Sequence, residues 1–114
     1  MTTLYGIANC DTVKKARKWL DAAGVAYNFH DFRQDGLDAA QVRAWIDELG
    51  WEAIVNRRST TWRGLGDDVK AGMDASAAVT EIVRAPTLVK RPVLDTGKER
   101  HVGFSAATYG EIFG

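Results

Sequence analysis

The sequence predicts an α/β fold in a single domain, and three features of its 114 residues support that prediction. The first third has a strand–helix–strand pattern, the middle third is helical, and the last third returns to strands before a final helix. A hydrophobic fraction of 46% suits one globular core of this size. The 15 basic residues balance the 15 acidic ones, which disfavours a nucleic-acid partner. No apolar run is long enough to span a membrane, so we expect a cytoplasmic protein.

The first third predicts a βαβ unit. Residues 3–7 are rich in strand-forming types, and the helix that follows from Thr12 ends at Gly24. One face of this helix is apolar and consists of Val13, Ala16, Leu20 and Ala23. The opposite face is polar and carries Lys14, Lys15, Lys18 and Asp21. Apolar residues then alternate at Val25, Tyr27 and Phe29, which indicates a second strand. A helix between two strands predicts that the strands are parallel.

The middle third predicts helices. Asp38 and Gln41 form a capping-box pattern before an apolar stripe that ends at Gly50, and the stripe consists of Val42, Trp45, Ile46 and Leu49. Short helical turns are expected at 51–55 and 62–65. Asp74 can cap a further helix before Pro86, with Val79, Ile82 and Val83 facing inward.

The last third predicts a hairpin and a helix. Residues 88–94 are rich in strand formers but are interrupted by Pro92. A turn at 95–98 leads to a second strand at 101–104, and Ser105 can cap a final helix that runs through Phe113.

Cys10 is the residue with the most informative position. It is the only cysteine, which excludes an intramolecular disulfide and a multi-cysteine metal site. It lies between the first strand and the first helix, where free backbone N–H groups and the helix dipole favour a thiolate. The neighbouring carboxylate of Asp11 is expected to oppose that effect. The alternative is that Cys10 is a small buried apolar residue.

Two groups of arginines could bind an anion. Arg91 precedes Pro92, whose geometry can aim the preceding side chain or expose backbone groups to a ligand. Arg57, Arg58 and Arg63 form a cluster that could hold a carboxylate or an oxyanion. The alternative for that cluster is a solvated surface that pairs with Asp67 and Asp68. His30 and His101 lack metal-ligand spacing, so we expect them to be surface or hydrogen-bonded residues and expect no metal site.

Together these residues resemble the arsenate-reductase-like (ArsC/Spx) family of the thioredoxin superfamily, closest to its small YffB-type members. The resemblance covers essentially the whole chain. It rests on segments 5–7, 9–12, 14–17, 29–31, 60–63, 90–94 and 102–104, together with Asn56 and Arg58. It implies a thioredoxin-like (glutaredoxin-like) mixed-sheet core with an all-helical insertion at about 38–86, within one domain of residues 1–114. It also implies a cis Arg91–Pro92 bond and a nucleophilic role for Cys10.

The function implied by this resemblance is glutathione-dependent thiol–disulfide exchange. Cys10 would be the catalytic nucleophile, and an external thiol would resolve its mixed disulfide. Arg58, Arg91 and Pro92 would bind glutathione or the substrate, with help from the backbone near Asn9 and Thr12. Glutathione would be a co-substrate rather than a bound cofactor, glutaredoxin is a further candidate partner, and we expect a monomer.

Two alternative functions occur in the same family. Arsenate reductases place three arginines around the oxyanion, whereas here only Arg91 matches; Asn56 and Gly103 fall where the other two would be. Spx-type regulators bind RNA polymerase without catalysis and carry a Cys-x-x-Cys switch. Val13 occupies the second cysteine position here, so that switch cannot form.

Overall fold

The structure is a computed structural model that describes residues 2–114, and these fall into two compact units. One unit comprises the chain through Asp31 together with Arg91–Gly114, and the other comprises Phe32–Lys90. The strands are β1 Thr3–Gly6, β2 Asn28–Asp31, β3 Val93–Asp95 and β4 Arg100–Val102. The helices are α1 Asp11–Ala22, α2 Phe32–Asp35, α3 Ala39–Leu49, α4 Trp51–Ile54, α5 Thr60–Arg63, α6 Asp67–Ala71, α7 Ala75–Arg84 and α8 Ala106–Phe113, with a 3₁₀ turn at Pro86–Leu88.

The first unit is built on a mixed four-stranded sheet with strand order β2-β1-β3-β4. β1 pairs with β2 in parallel, as the βαβ pattern predicted, and β3 pairs antiparallel to both β1 and β4. The sheet and its helices confirm the predicted α/β class. The predicted hairpin is also present, and Gly97 supplies the positive φ of 90° in its turn.

Helix α1 packs onto the sheet through the apolar stripe that the sequence predicted. Val13, Ala16 and Leu20 are fully buried beside Leu4 and Leu94 of the sheet. The close approach depends on Gly6, because a Cβ there would lie 2.7 Å from Cγ2 of Val13. Tyr109 of α8 completes this core and meets the rings of Trp19, Phe104 and Phe113.

The second unit is helical, with only an isolated β-bridge between Val55 and Val89. Asp38 caps α3, but its carboxylate accepts from the N–H of Ala40 rather than that of Gln41. Asp74 caps α7 as predicted, by accepting from the N–H of Ala77. The buried side chains of α3 are Val42, Trp45 and Ile46, and those of α7 are Ala78 and Ile82.

Several local predictions were wrong. Val83 is 41% exposed, because the buried stripe of α7 follows the four-residue spacing from Ala78 to Ile82 and leaves the next residue rotated outward. The β-rich segment 88–94 becomes a strand only after Pro92. The second strand begins at Asn28, later than its alternation suggested, and α2 and α6 were not predicted. Among the described residues, no helix is long and apolar enough to cross a membrane.

Candidate functional site

The sheet register brings the Cys10 loop beside the Arg91–Pro92 segment. Tyr5, near the end of β1, pairs with Val93, the first residue of β3. Because these strands are antiparallel, the chain leaving β1 and the chain entering β3 meet at the same edge of the sheet. The Arg91–Pro92 peptide bond is cis, as the resemblance implied. Cys10 and Arg91 are therefore neighbours although they lie far apart in the sequence.

Cys10 is the residue that precedes α1, and its backbone follows the usual pattern of a helix start. Its N–H donates to the carbonyl of Ile7, and its carbonyl accepts from the N–H of Lys14. Its thiol makes no capping hydrogen bond. The backbone N–H groups of the first turn of α1 are therefore available to an anion at the sulfur.

The surroundings of Cys10 stabilise its thiolate. Burial raises the pKa of the thiol, but the backbone N–H of Val13 and the Arg91 side chain, which can donate hydrogen bonds to the thiolate, lower it. The backbone N–H of Thr12 and the positive charge of Arg91 lower the pKa further. The net result is a Cys10 pKa below its ordinary value of 9.0. The predicted direction is confirmed, although burial, and not Asp11, is what opposes the shift.

Asp31 holds the loop that carries Cys10. Its carboxylate accepts a hydrogen bond of 3.2 Å from the N–H of Ala8, and the residue is only 7% exposed. This role of Asp31 was not predicted from the sequence. A signal was present, since Asp31 continues the odd-numbered positions of Tyr27 and Phe29, where an apolar residue would be expected. The buried carboxylate of Asp31 therefore anchors the loop that leads to Cys10.

A shallow hollow opens beside Pro92. Its volume is about 280 Å³, and residues 101–105 and Thr108 line it. The N–H of Gly103 donates to the carbonyl of Pro92 at 2.8 Å, which ties the hollow to the segment that follows Arg91. The volume is close to the lower end of the ~300–1,000 Å³ range of small-molecule sites. The hollow could therefore take part of a small ligand.

The predicted arginine cluster lies in the second unit. The backbone N–H of Arg58 donates to the side chain of Asn56 at 3.1 Å, and the Arg58 side chain is exposed. The guanidinium of Arg57 lies 5.8 Å from the ring centroid of Trp51. All three arginines of the cluster are exposed, as the alternative of a solvated surface predicted. Within the described residues the cluster forms no ion pair with Asp67 or Asp68, so the predicted pairing was wrong.

The remaining candidates occupy less specialised positions. Asn9 and Thr12 are exposed on either side of Cys10. His30 packs its ring against Tyr5 at 4.9 Å, and Nε2 of His101 lies 3.2 Å from the carboxylate of Glu99. Among residues 2–114, no three metal-binding side chains lie close enough to share an ion.

The mixed sheet, the cysteine at the start of α1 and the arginine beside it define a thiol protein of arsenate-reductase-like, thioredoxin-like fold. The chain belongs to the ArsC family, whose model matches residues 5–112. It is 42% identical to an uncharacterized protein of Haemophilus influenzae, over 99% of both chains.

Two further relatives show the breadth of the family. The solved structure of a YffB protein has a TM-score of 0.94 and 43% identity, covering 97% of each chain. The global transcriptional regulator Spx of Streptococcus mutans is 28% identical over 92% of this chain and 77% of its own length. The family resemblance and the thioredoxin-like fold expected from the sequence are thus confirmed, and the family includes transcriptional regulators.

Proposed function

We propose that the protein is a cytoplasmic, glutathione-dependent thiol–disulfide oxidoreductase that acts through Cys10. The observation that carries the proposal is the stabilised thiolate: the Cys10 sulfur faces the N–H groups of Val13 and Thr12 and the side chain of Arg91. A thiolate, rather than a thiol, is the nucleophile in disulfide exchange.

The reaction has two exchange steps. In the first, the Cys10 thiolate attacks the glutathione sulfur of a glutathionylated thiol, forming a Cys10–glutathione disulfide and releasing the substrate thiolate. In the second step, the thiolate of another glutathione attacks the glutathione sulfur of this mixed disulfide. The Cys10 thiolate is restored and oxidised glutathione is released. The substrate is reduced, two glutathione molecules are joined by a disulfide, and solvent supplies the proton that the released thiolate takes up.

In this proposal, most of the rate enhancement of the exchange reaction comes from positioning the glutathione sulfur against Cys10. Lowering the pKa of a thiol increases its thiolate fraction but reduces the nucleophilicity of that thiolate, so the two effects partly cancel. In this proposal Arg91 binds a carboxylate of glutathione and helps to hold its sulfur against Cys10. The hollow beside Pro92 receives the remainder of the tripeptide, and Arg58 is a further candidate for a glutathione carboxylate.

The direct test is the intact mass after incubation with oxidised glutathione. We expect one glutathionyl group on the native protein, its complete release by excess reduced glutathione, and no adduct on Cys10→Ser. Lys98→Gln is a suitable control, because Lys98 is an exposed cation in the turn that follows β3, at the opposite end of that strand from Arg91, and its loss should leave the adduct unchanged. Failure of the native protein to form the adduct would contradict the proposal.

Regulation of the Spx type is the second candidate, because named Spx regulators match most of the chain. A binding module of that kind should capture an RNA polymerase subunit equally well with Cys10→Ser. An enzyme loses every activity with that variant. Arsenate reduction is less favoured, since a single matched arginine provides few charge-assisted hydrogen bonds for the oxyanion. Robust Cys10-dependent turnover of arsenate would reverse this order.

A further inference from the structure

Helix α1 carries a group of cations that stability does not explain. Between Asp11 and Ala22 it has four basic residues and two acidic ones, in a chain whose formal net charge is zero. The four are Lys14, Lys15, Arg17 and Lys18. We call them the α1 cation stripe. The side chains of its three lysines are exposed, and Arg17 is half-buried.

None of these cations forms an ion pair within the part of the chain that the structure describes. Lys14 and Lys18 are four residues apart on the same face, where like charges destabilise a helix. The helix dipole rewards cations in the last turn, but the last turn of α1 contains none. The stripe instead occupies the middle of the helix, where the dipole contributes little to its stability.

Arg17 is held in position by one residue of β2 and by the residue that precedes this strand. Its guanidinium carbon lies 4.2 Å from the ring centroid of Phe29, and its Nε donates to the Tyr27 hydroxyl at 3.3 Å. The stacking contact restricts a side chain that would otherwise move freely in solvent. One member of the stripe is therefore preorganised to receive an anionic group.

We propose, on the basis of the thiol–disulfide exchange proposed above, that the α1 cation stripe docks an acidic protein segment beside the substrate's modified cysteine. At about 1.5 Å per residue, Lys14 and Lys18 lie about 6 and 12 Å along the helix from Cys10. An extended peptide covers those distances in about two to four residues. The preferred substrate thus carries Asp or Glu two to four positions from its glutathionylated cysteine.

Charge favours a peptide over a nucleic acid as the occupant. Asp11 and Asp21 flank the stripe at either end of α1, so the positive surface is short. A nucleic-acid groove normally belongs to a strongly basic domain, whereas this chain is neutral overall. A few carboxylates match the extent of the stripe better than a continuous phosphate backbone does.

The test compares two glutathionylated peptides that differ only at the positions two to four residues from the cysteine, with Glu in one and Gln in the other. We expect the native protein to deglutathionylate the Glu peptide about three- to tenfold faster at about 0.05 M salt, and the preference to disappear at about 1 M salt. Lys14→Gln with Lys18→Gln should weaken the preference, and adding Arg17→Gln should remove it. Lys70→Gln with Lys98→Gln, which changes the net charge equally outside α1, should retain it.

The outcomes separate the two proposals. Equal rates for both peptides in the native protein would overturn the docking role while leaving the exchange reaction intact. If neither peptide reacts, the proposed function fails, and binding of the cysteine-free Glu peptide to the native and double-variant proteins then decides the docking role. The docking role would also be overturned if a single-stranded oligonucleotide inhibited deglutathionylation of the Glu peptide more strongly than the cysteine-free Glu peptide does.

Discussion

Two helix starts in this chain show how a similar backbone geometry can lead to different chemistry. Cys10 precedes α1 and Ser59 precedes α5, and each residue has an extended backbone. Ser59 accepts a hydrogen bond from the N–H of Trp62 at 3.1 Å and donates one to the carbonyl of Asn56 at 2.7 Å. Its cap is satisfied from within the turn. The thiol of Cys10 makes no such bond, so the N–H groups of α1 remain available to a thiolate.

The two starts also differ in how their arginines are held. Arg91 interacts with Cys10 because strand pairing brings the two segments to one edge of the sheet. Arg58 lies in the turn next to Ser59 and is exposed. An arginine fixed by tertiary structure can stabilise an anion at a defined position, whereas an exposed one loses much of its effect to solvent. The comparison therefore favours the start of α1 as the place where an anion is stabilised and identifies Ser59 as a structural cap of α5.

Among the single arginine substitutions, replacement of Arg91 is expected to have the largest effect on adduct formation, because strand pairing fixes Arg91 beside Cys10. At matched thiolate fraction, Arg91→Ala should slow formation of the glutathione adduct roughly ten- to a hundredfold, because a charge-assisted contact worth about 1.5–3 kcal/mol is lost. Arg57→Ala should cost under about 1 kcal/mol. Adduct-formation rates for the two variants provide the comparison. If Arg57→Ala proves equally or more damaging, the anion site belongs to the basic cluster instead.

Gly6 is expected to matter for the packing of the reactive helix. Gly6→Ala should lower the free energy of unfolding by about 1–3 kcal/mol, because its Cβ would collide with the stiff, buried side chain of Val13. Gly110→Ala is the control, since a Cβ at that position meets no atom within 4 Å. It should stabilise α8 by about 0.5–1 kcal/mol. Urea denaturation measures both values, and equal effects would refute the packing role.

The two residues at the helix starts should differ when each is replaced. Ser59→Ala removes a cap and should cost about 1 kcal/mol of unfolding free energy. Cys10→Ser removes no capping bond and gives the N–H groups of α1 a new acceptor, so stability should change by no more than about 0.5 kcal/mol. Denaturation of both variants at neutral pH tests this contrast. A large loss for Cys10→Ser would show that the cysteine is mainly a packing residue.

The smallest expected effect is the dependence of stability on pH. The pKa of Cys10 is lower in the folded protein than its ordinary value of 9.0. Its contribution to stability is therefore fully present above the unfolded pKa and is lost as the pH falls through the folded pKa. Relative to Cys10→Ser, the native protein should gain stability when the pH rises from about 6 to about 9.5. A constant difference across that range would contradict the lowered pKa.

The fold was predictable where the signals are local. The caps of Asp38, Asp74 and Ser105 and the turn at Gly97 each depend on a few neighbouring residues, and the structure contains all four. The short helices α2 and α6 were missed, whereas the equally short α4 and α5 were expected within one or two residues of their positions. Helices of four or five residues give too weak a periodicity to be predicted consistently.

The candidate site was likewise predictable from the sequence only where its features are local. The position of Cys10 between a strand and a helix was visible from periodicity alone. Its contact with Arg91 depends on the pairing of β1 with β3, which links residues far apart in sequence, and only the family resemblance pointed to it. The opposing effect of burial on the Cys10 pKa could not be predicted from sequence, because it depends on the tertiary packing around the sulfur.

The central claim is that the protein holds Cys10 as a stabilised thiolate, and the rate of iodoacetamide alkylation as a function of pH tests it most directly. We expect a midpoint below the ordinary value of 9.0 for the native protein. Arg91→Ala should move that midpoint upward, because it removes both a hydrogen bond and a positive charge from the sulfur. A native midpoint at or above the ordinary value, unchanged by Arg91→Ala, would contradict the account.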